Sequence, residues 1–317
     1  MPSARNSGSS LIPLVVILGP TAVGKTEIAI QLAGSLNGEI VSADSRLFYR
    51  GMDIGTAKPS QEERDRVPHN LIDIAEPYQV WSLGMYQKAA RKAISEIYGR
   101  GRLPFLVGGT GQYIRAVVEA WEIPRVEPNP ALRTVLEAWA RESGEYVLHD
   151  RLRLLDPEAA ANIDPRNVRR TVRALEVILT TGYRFSAQRQ RGAPLYRLLQ
   201  IGLMRPRQEL YARIDDRIQH MLDEGLVDEV RALLEQGYSP DLPSLSAIGY
   251  REIVAYLQAK ISLEDAITQM KRQTRVFVRR QANWFKADDP QINWFQMDED
   301  TVEQVEALIL DWLKDLP

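Results

Sequence analysis

Two glycines, a lysine and a threonine fall in one register near the start of the chain: Gly19, Gly24, Lys25 and Thr26, within LVVILGPTAVGKT at residues 14–26. Glycines let backbone N–H groups turn inward on a phosphate chain, and a helix N-terminus adds partial positive charge. The lysine adds a full charge, and a threonine hydroxyl just after it is placed to ligand Mg²⁺. This chemistry needs particular flanks. Leu14 to Leu18 are apolar and lead in as a strand, and Glu27 to Leu36 carry a helical pattern out. The stretch therefore reads as strand, phosphate loop, helix, with Gly19, Pro20, Thr21, Ala22, Val23, Gly24, Lys25 and Thr26 around a polyphosphate. Whether a phosphoryl group is transferred or only leaves, the loop does not say.

The next acid to weigh is Asp44. It follows a short apolar strand, Glu39 to Ser42, and in an open α/β sheet ligands bind outside the carboxyl ends of strands. The same aspartate could instead cap a helix or stand behind a Mg²⁺ ligand. Gly51 to Pro59, GMDIGTAKP, suits a loop closing over a charged substrate through Lys58, or a plain connection. Pro68 to Ile74 reads as a third strand and Leu83 to Tyr98 as an amphipathic helix ended by Gly99 and Gly101. Pro104 to Val107 is another buried strand, which stops at Gly108-Gly109-Thr110-Gly111 rather than at the aspartate that many P-loop phosphotransferases carry there. Helices alternating with short apolar strands give the fold class: α/β, a P-loop NTPase-like parallel sheet flanked by helices.

Composition narrows the setting. With 317 residues the chain is long enough for more than one core, since single cores stop growing near about 250 to 300 residues. It has no cysteine, which excludes disulfides and thiolate metal sites, and its three histidines, His69, His149 and His220, are too far apart to suggest a metal cluster. No apolar run approaches the roughly 20 residues of a membrane span and no signal peptide precedes the first strand, so a cytoplasmic enzyme is expected. The formal net charge of −2 hides an asymmetry. Lys271 to Lys286 contains six basic residues and no acid, whereas Asp288 to Pro317 contains nine acids and only Lys314. A phosphate backbone would feel the local basic patch.

Residues 1–10 are Ser-rich and unpatterned, a disordered arm. Residues 121–199 read as a mostly helical insertion domain, leaving 11–120 and 200–317 as the P-loop core. Within the insertion Val168, Val172, Leu175 and Leu179 recur at helical spacing as a core face. Arg166, Arg169, Arg170 and Arg173 crowd the other side, either salt-bridged in solvent or touching phosphate. Leu198 to Leu203 returns as a strand. Glu209 to Glu224 and Leu226 to Gln236 are helical, and Leu263 to Phe285 sets Arg272, Arg275 and Arg279 on a stripe uncompensated by acids. A second stripe, Met270, Phe277 and Trp284, is assigned to the core.

In order and spacing, GPTAVGKT, SADSRLFYRGMDIGTAKP, VPHNLIDI, PFLVGGTGQYIRAV, DPRNVRRTVRALEV, LPSLSAIGYRE and TRVFVRRQANWF resemble the bacterial tRNA dimethylallyltransferases, over about Leu14 to Trp284. The resemblance implies a donor, dimethylallyl diphosphate, and an acceptor, the N6 amine of the adenosine 3′ to the anticodon. It implies that the helical insertion grips the anticodon stem-loop. The phosphate loop then holds a leaving group with Mg²⁺ as cofactor and Thr26 as metal ligand, Asp44 matches the family's general base, and Lys25 and Thr110 complete the catalytic set. By position the RNA contacts are Asp44, Ser45, Arg46, Leu47, Thr110, Arg133, Arg169, Arg170, Gly249, Tyr250, Arg251, Arg279, Arg280 and Gln281. Leu47 stands where the family often has Gln and cannot hydrogen-bond; Val276 replaces a frequent polar residue in the basic helix. A monomer is expected.

Three other readings share parts of this sequence. A nucleotide kinase would use the same loop, against the absent strand-end aspartate and the basic C-terminal helix. An isopentenyltransferase acting on free adenine nucleotide would have little use for the insertion or the arginine stripe. A non-catalytic RNA-binding module would not need Lys25, Thr26 and Asp44 together.

Overall fold

A computed structural model of the chain describes residues 11–124, 126–188 and 192–315; the N-terminal arm of residues 1–10 lies outside them. The chain divides into two units, residues 1–118 with 194–317, and Glu119–Ala193.

The first unit is built on a parallel six-stranded sheet. Its strands are β1 (Ile12–Leu18), β2 (Gly38–Ser42), β3 (His69–Asn70), β4 (Leu103–Gly108), β5 (Tyr196–Met204) and β6 (Ile292–Gln296), in the spatial order β3-β2-β4-β1-β5-β6. In the first unit the helices before the insertion are α1 (Lys25–Ser35), α2 (Gln61–Arg66), α3 (Leu83–Gly99) and α4 (Gly111–Val118). The second unit holds α5 (Pro130–Ser143), α6 (Glu145–Leu155), α7 (Pro157–Ala161) and α8 (Val168–Thr181). The chain then returns through α9 (Arg207–Asp223), α10 (Leu226–Glu235), α11 (Tyr250–Leu257), α12 (Leu263–Ala282) and α13 (Thr301–Lys314).

Leu14 to Leu18 have no exposed surface because β1 is flanked by β4 and β5 and covered on both faces, which is why it reads as an unbroken apolar run rather than an alternation. The connections explain where a ligand can sit. From β1 the chain crosses through α1 to β2, and from β3 it comes back through α3 to β4. Right-handed crossovers running in opposite directions put α1 and α3 on opposite faces. The strand order reverses between β4 and β1, so the crevice of this sheet opens at the carboxyl ends of those two neighbours.

Several sequence expectations shift here. The third strand shrinks to His69–Asn70, paired only with Ile40 and Val41. The return strand begins at Tyr196 instead of Leu198, and the division falls at Glu119–Ala193 rather than 121–199, because β5 pairs with β1 from Ile12 onward. The acidic tail is folded: β6 pairs with β5, and α13 buries Val305 and Ile309.

In the second unit Leu136, Leu148, Leu152, Val172 and Leu175 form a core. Leu179 does not join it and is 57% exposed, while its neighbour Ile178 in the last turn of α8 packs against the core instead. Glu176 is the polar centre of this unit. Arg133 donates to it twice at 2.9 Å, Asn129 N–H once at 2.8 Å and Arg173 once at 2.6 Å. Burial alone would raise the Glu176 carboxyl; these donors hold it down at about 2.

Candidate functional site

The phosphate loop follows β1 directly. Gly19, Ala22 and Gly24 all have positive φ, at 152°, 67° and 110°, and a Cβ on Gly19 would lie 2.6 Å from the Leu203 carbonyl, so the curl of the loop requires glycine there. Val23 is buried beneath the loop, and Thr26 stands exposed in the first turn of α1. Lys25 donates to the Pro20 carbonyl at 2.8 Å. Burial lowers its ammonium to about 8, Asp44 pulls it back up and Arg217 pushes it down. A desolvated lysine facing one carboxylate and one guanidinium is a cation held ready for an anion.

Asp44 follows β2, and Thr110 follows β4. Because β2, β4 and β1 are adjacent and parallel, all three loops emerge on one edge of the sheet. Ala43 N–H donates to Val107 O at 2.7 Å and Thr110 N–H to Ala43 O at 3.4 Å, fastening the Asp44 turn to the Thr110 turn. A Cβ on Gly108 would lie 2.4 Å from Ala43 O, so only glycine permits this approach. The Asp44 carboxylate accepts the Arg46 N–H at 3.0 Å, which sets its direction.

Gln281 connects the far end of the chain to this edge. From the end of α12 its buried amide oxygen accepts Thr21 N–H at 2.9 Å and Thr21 Oγ1 at 3.2 Å, while its amide nitrogen donates to Gly109 O at 3.1 Å. Gln281 therefore pins the phosphate loop to the β4 turn rather than facing a nucleic acid, and the Thr21 N–H is committed to it. Gly111 sits against Trp284, where a Cβ would fall 2.2 Å from the indole.

Three arginines that the sequence reading passed over complete the cradle. Arg205 Nε donates to Val23 O at 3.0 Å, Arg213 Nε to Ala22 O at 2.9 Å, and Arg217 Nη2 to Thr56 O at 3.3 Å. Burial lowers the Arg217 guanidinium and the charge of Asp44 raises it. The available signal was the four-residue spacing of Arg213 and Arg217 on α9, hidden because that helix was read only for its apolar face.

The remaining candidates divide. Ser45 and Leu47 are half-buried on the Asp44 turn. Arg46 donates to Pro243 O at 3.1 Å and Ser244 O at 3.3 Å, tying that turn to the loop before α11. Gly249 has φ 100° and starts α11. Tyr250 is fully buried, its hydroxyl 2.6 Å from Glu229, so its side chain is a structural post and not an RNA contact. Arg251 pairs with Glu252 at 2.5 Å yet stays about half exposed. Arg279 and Arg280 are exposed. In the second unit Arg169 and Arg170 are exposed, whereas Arg133 is held by Glu176.

Three further expectations are corrected. Lys58 does not close over a substrate: its side chain is 2% exposed and donates to Tyr49 O, Asp53 and Asp73. Its loop is pinned as well, because Glu229 accepts the N–H groups of Asp53, Ile54 and Gly55. The α12 stripe is partly compensated, with Arg275 and Lys271 both facing Asp215 of α9. Phe277 is 39% exposed and lies outside the core, on a helix whose buried line is Ala266, Met270, Val278 and Gln281.

The histidines hold backbone or a neighbouring acid: His69 meets Val67 O, His149 meets Ala160 O and Ile163 O, and His220 meets Glu224. Among the described residues no group of three His, Cys, Asp or Glu side chains could hold a metal. The Thr26 hydroxyl in the first turn of α1 is an oxygen donor that could serve Mg²⁺, which takes few protein ligands and keeps several waters.

The IPP transferase family profile matches residues 47–288, beginning just after Asp44 and so independent of the phosphate loop. The tRNA dimethylallyltransferase of Roseiflexus sp. (strain RS-1) is 51% identical over 303 residues, covering 96% of this chain and 99% of the relative. That of Thermomicrobium roseum is 53% identical over 274 residues, 86% of this chain and 83% of the relative. Among solved structures, the full-length tRNA isopentenylpyrophosphate transferase of Bacillus halodurans is 43% identical with a TM-score of 0.72, covering 96% of this chain and 97% of that one. A eukaryotic dimethylallyltransferase acting on tRNA is 26% identical with a TM-score of 0.81, over 96% and 80% of the two chains. With phosphate loop, strand-end aspartate and basic helix in one unit and these matches across nearly its whole length, the chain belongs to the IPP transferase family, among the tRNA dimethylallyltransferases.

Proposed function

We propose that the protein transfers a dimethylallyl group from dimethylallyl diphosphate to N6 of the adenosine 3′ to the anticodon of tRNA, releasing diphosphate. The observation that carries the assignment of roles is the convergence of the phosphate loop, Asp44 and Thr110 on one sheet edge, beside a lysine and an arginine that both sense Asp44. An adenine N6 amine is a poor nucleophile, because its lone pair is delocalised into the ring. As the amine nitrogen bonds to the allylic carbon, the carbon–oxygen bond to diphosphate breaks with its electron pair, and the Asp44 carboxylate takes the proton shed by nitrogen.

The negative charge that develops on the leaving diphosphate is met by Lys25, Arg217 and the free N–H groups of the loop, all fixed before the substrate arrives. Mg²⁺, held through the Thr26 hydroxyl, would add a further positive charge against the same oxygens. Thr110 borders the acceptor side, its backbone tied to Ala43 beside Asp44. The second unit, with Arg169 and Arg170 exposed on α8, and the exposed Arg279 and Arg280 of α12 serve the anticodon stem-loop. Arg133 contributes by ordering Glu176. The protein acts as a monomer, in the cytoplasm where tRNA is; among the described residues no helix is long and apolar enough to cross a membrane.

Incubation with Mg²⁺, dimethylallyl diphosphate and unmodified tRNA whose anticodon ends in A, followed by digestion and mass spectrometry, tests this reading. A prenylated adenosine from tRNA is the expected product. Prenylation of AMP instead, or phosphoryl transfer from ATP, would overturn it.

A further inference from the structure

Away from the strand-end site, the first unit carries an aromatic pair that the mechanism leaves unused. Tyr78, in the loop between β3 and α3, is 59% exposed. Its ring centroid lies 6.5 Å from that of Tyr238, with 22° between the planes. Tyr238 is half-buried, and its hydroxyl donates to Glu76 at 3.3 Å. Glu76 is in turn paired with Arg50 at 2.6 Å, so that carboxylate's charge is offset. Tyr238 thus props one side of Tyr78, which keeps more than half of its surface open to water.

This pair is tied to Asp44 through a short chain of contacts. Asp44 accepts from Arg46 N–H, Arg46 donates to Pro243 O and Ser244 O, and Ser244 Oγ donates to Pro77 O at 2.7 Å, next to Tyr78. From the other side Ala75 N–H donates to Phe48 O at 2.9 Å and Arg50 N–H to Ala75 O at 3.0 Å. The loop bearing Tyr78 is therefore stitched to the segment that follows the proposed base, and Arg46 places a cation along the same seam.

We propose that Tyr78, propped by Tyr238, is a stacking platform for an unpaired base of the tRNA anticodon loop beside the target adenosine; the proposal rests on the tRNA reading above. An adenosine drawn out of its stack leaves its neighbours with an uncovered face. An exposed aromatic ring replaces that lost stacking for any base, because every base has a π-face, while a flanking cation such as Arg46 takes a phosphate. A tyrosine wedged on a second ring loses little freedom on binding, which suits it to this use.

The test compares the full chain with Tyr78→Ala and Tyr78→Phe in steady-state prenylation. Binding is then followed by fluorescence, using anticodon stem-loops in which 2-aminopurine replaces each loop base beside the target in turn. Tyr78→Ala is expected to raise KM for tRNA about tenfold while kcat and KM for dimethylallyl diphosphate stay within about twofold. Tyr78→Phe should behave as the parent, and one 2-aminopurine position should be quenched by the parent and by Tyr78→Phe but not by Tyr78→Ala. Unchanged KM and quenching in Tyr78→Ala would overturn the platform. So would a Tyr78→Phe variant as weak as Tyr78→Ala, which would assign the role to the hydroxyl, and so would a change in oligomeric state on Tyr78→Ala, which would make the pair a contact between copies. Failure of the parent itself to prenylate tRNA would instead sink the reading of function.

Discussion

At the scale of single residues, the proposed mechanism gives Asp44 and Lys25 separable roles. Asp44→Asn keeps shape and polarity but cannot take a proton at neutral pH, so kcat should fall by about 10²- to 10⁴-fold. Tight tRNA binding should persist in a filter or fluorescence assay. Equal loss of binding would show that the carboxylate places RNA rather than moving a proton. Lys25 gives a pH prediction. Its ammonium titrates at about 8 in the free protein, well below its ordinary 10.5, chiefly because it is buried. Below that value the lysine is protonated and attracts diphosphate; above it the charge is lost and binding must take up a proton. Calorimetry with inorganic diphosphate should therefore show affinity declining as pH rises past about 8, with proton uptake, and a Lys25→Met variant should show weak affinity without that decline. Stability runs the opposite way: the unfolded chain holds this proton up to a higher pH, so the lysine's burial penalty fades, and stability rises, as pH climbs from about 8 toward 10.5.

At the scale of elements, the end of α12 holds the phosphate loop and the β4 turn in register. Gln281 spans Thr21 and Gly109, and Trp284 lies against Gly111. Gln281→Leu removes the hydrogen bonds to both and leaves the buried Gly109 carbonyl without that partner, at roughly 1–3 kcal/mol, with a smaller cost at the part-buried Thr21. Thermal unfolding should move down, and KM for dimethylallyl diphosphate should rise although Gln281 touches no substrate in the proposed mechanism. Gly111→Ala is the sharper form, because a methyl group 2.2 Å from the indole must displace the helix end or the start of α4. Retention of parental donor KM in both variants would show that α12 is a passive cover.

At the scale of the whole molecule, a formal charge of −2 coexists with a surface that must hold RNA. Arg279 and Arg280 are exposed on the first unit, and Arg169 and Arg170 on the second. Each phosphate contact releases condensed counterions, so the logarithm of the tRNA association constant should fall linearly with the logarithm of salt concentration. Replacing Arg279 or Arg280 by Ala should each reduce that slope by about one. Arg275→Ala should change the slope less, since Arg275 is already paired with Asp215 at 2.7 Å. Equal slopes for all three variants would move the RNA footprint elsewhere.

The order Gly19-x4-Gly24-Lys25-Thr26 after an apolar run could be read directly, because a phosphate loop is local: its turn, its cation and its helix lie within a dozen or so neighbours in the chain. The strand-end position of Asp44 was legible for the same reason, as was the alternation that makes the sheet parallel. The pinning of Lys58 was not, since Asp73 reaches it from beyond α2 and Glu229 holds its loop from α10. Nor were the burial of Tyr250 on Glu229, the folding of the acidic tail into β6 and α13, or the service of Gln281 as a clamp on Thr21 across 260 residues. Composition marks a residue as able to bond. Which partner consumes that ability depends on distances between elements remote in sequence, and only the tertiary packing sets those distances, leaving Arg169, Arg170, Arg279 and Arg280 open to solvent while Arg133 and Lys58 are held by buried or half-buried acids.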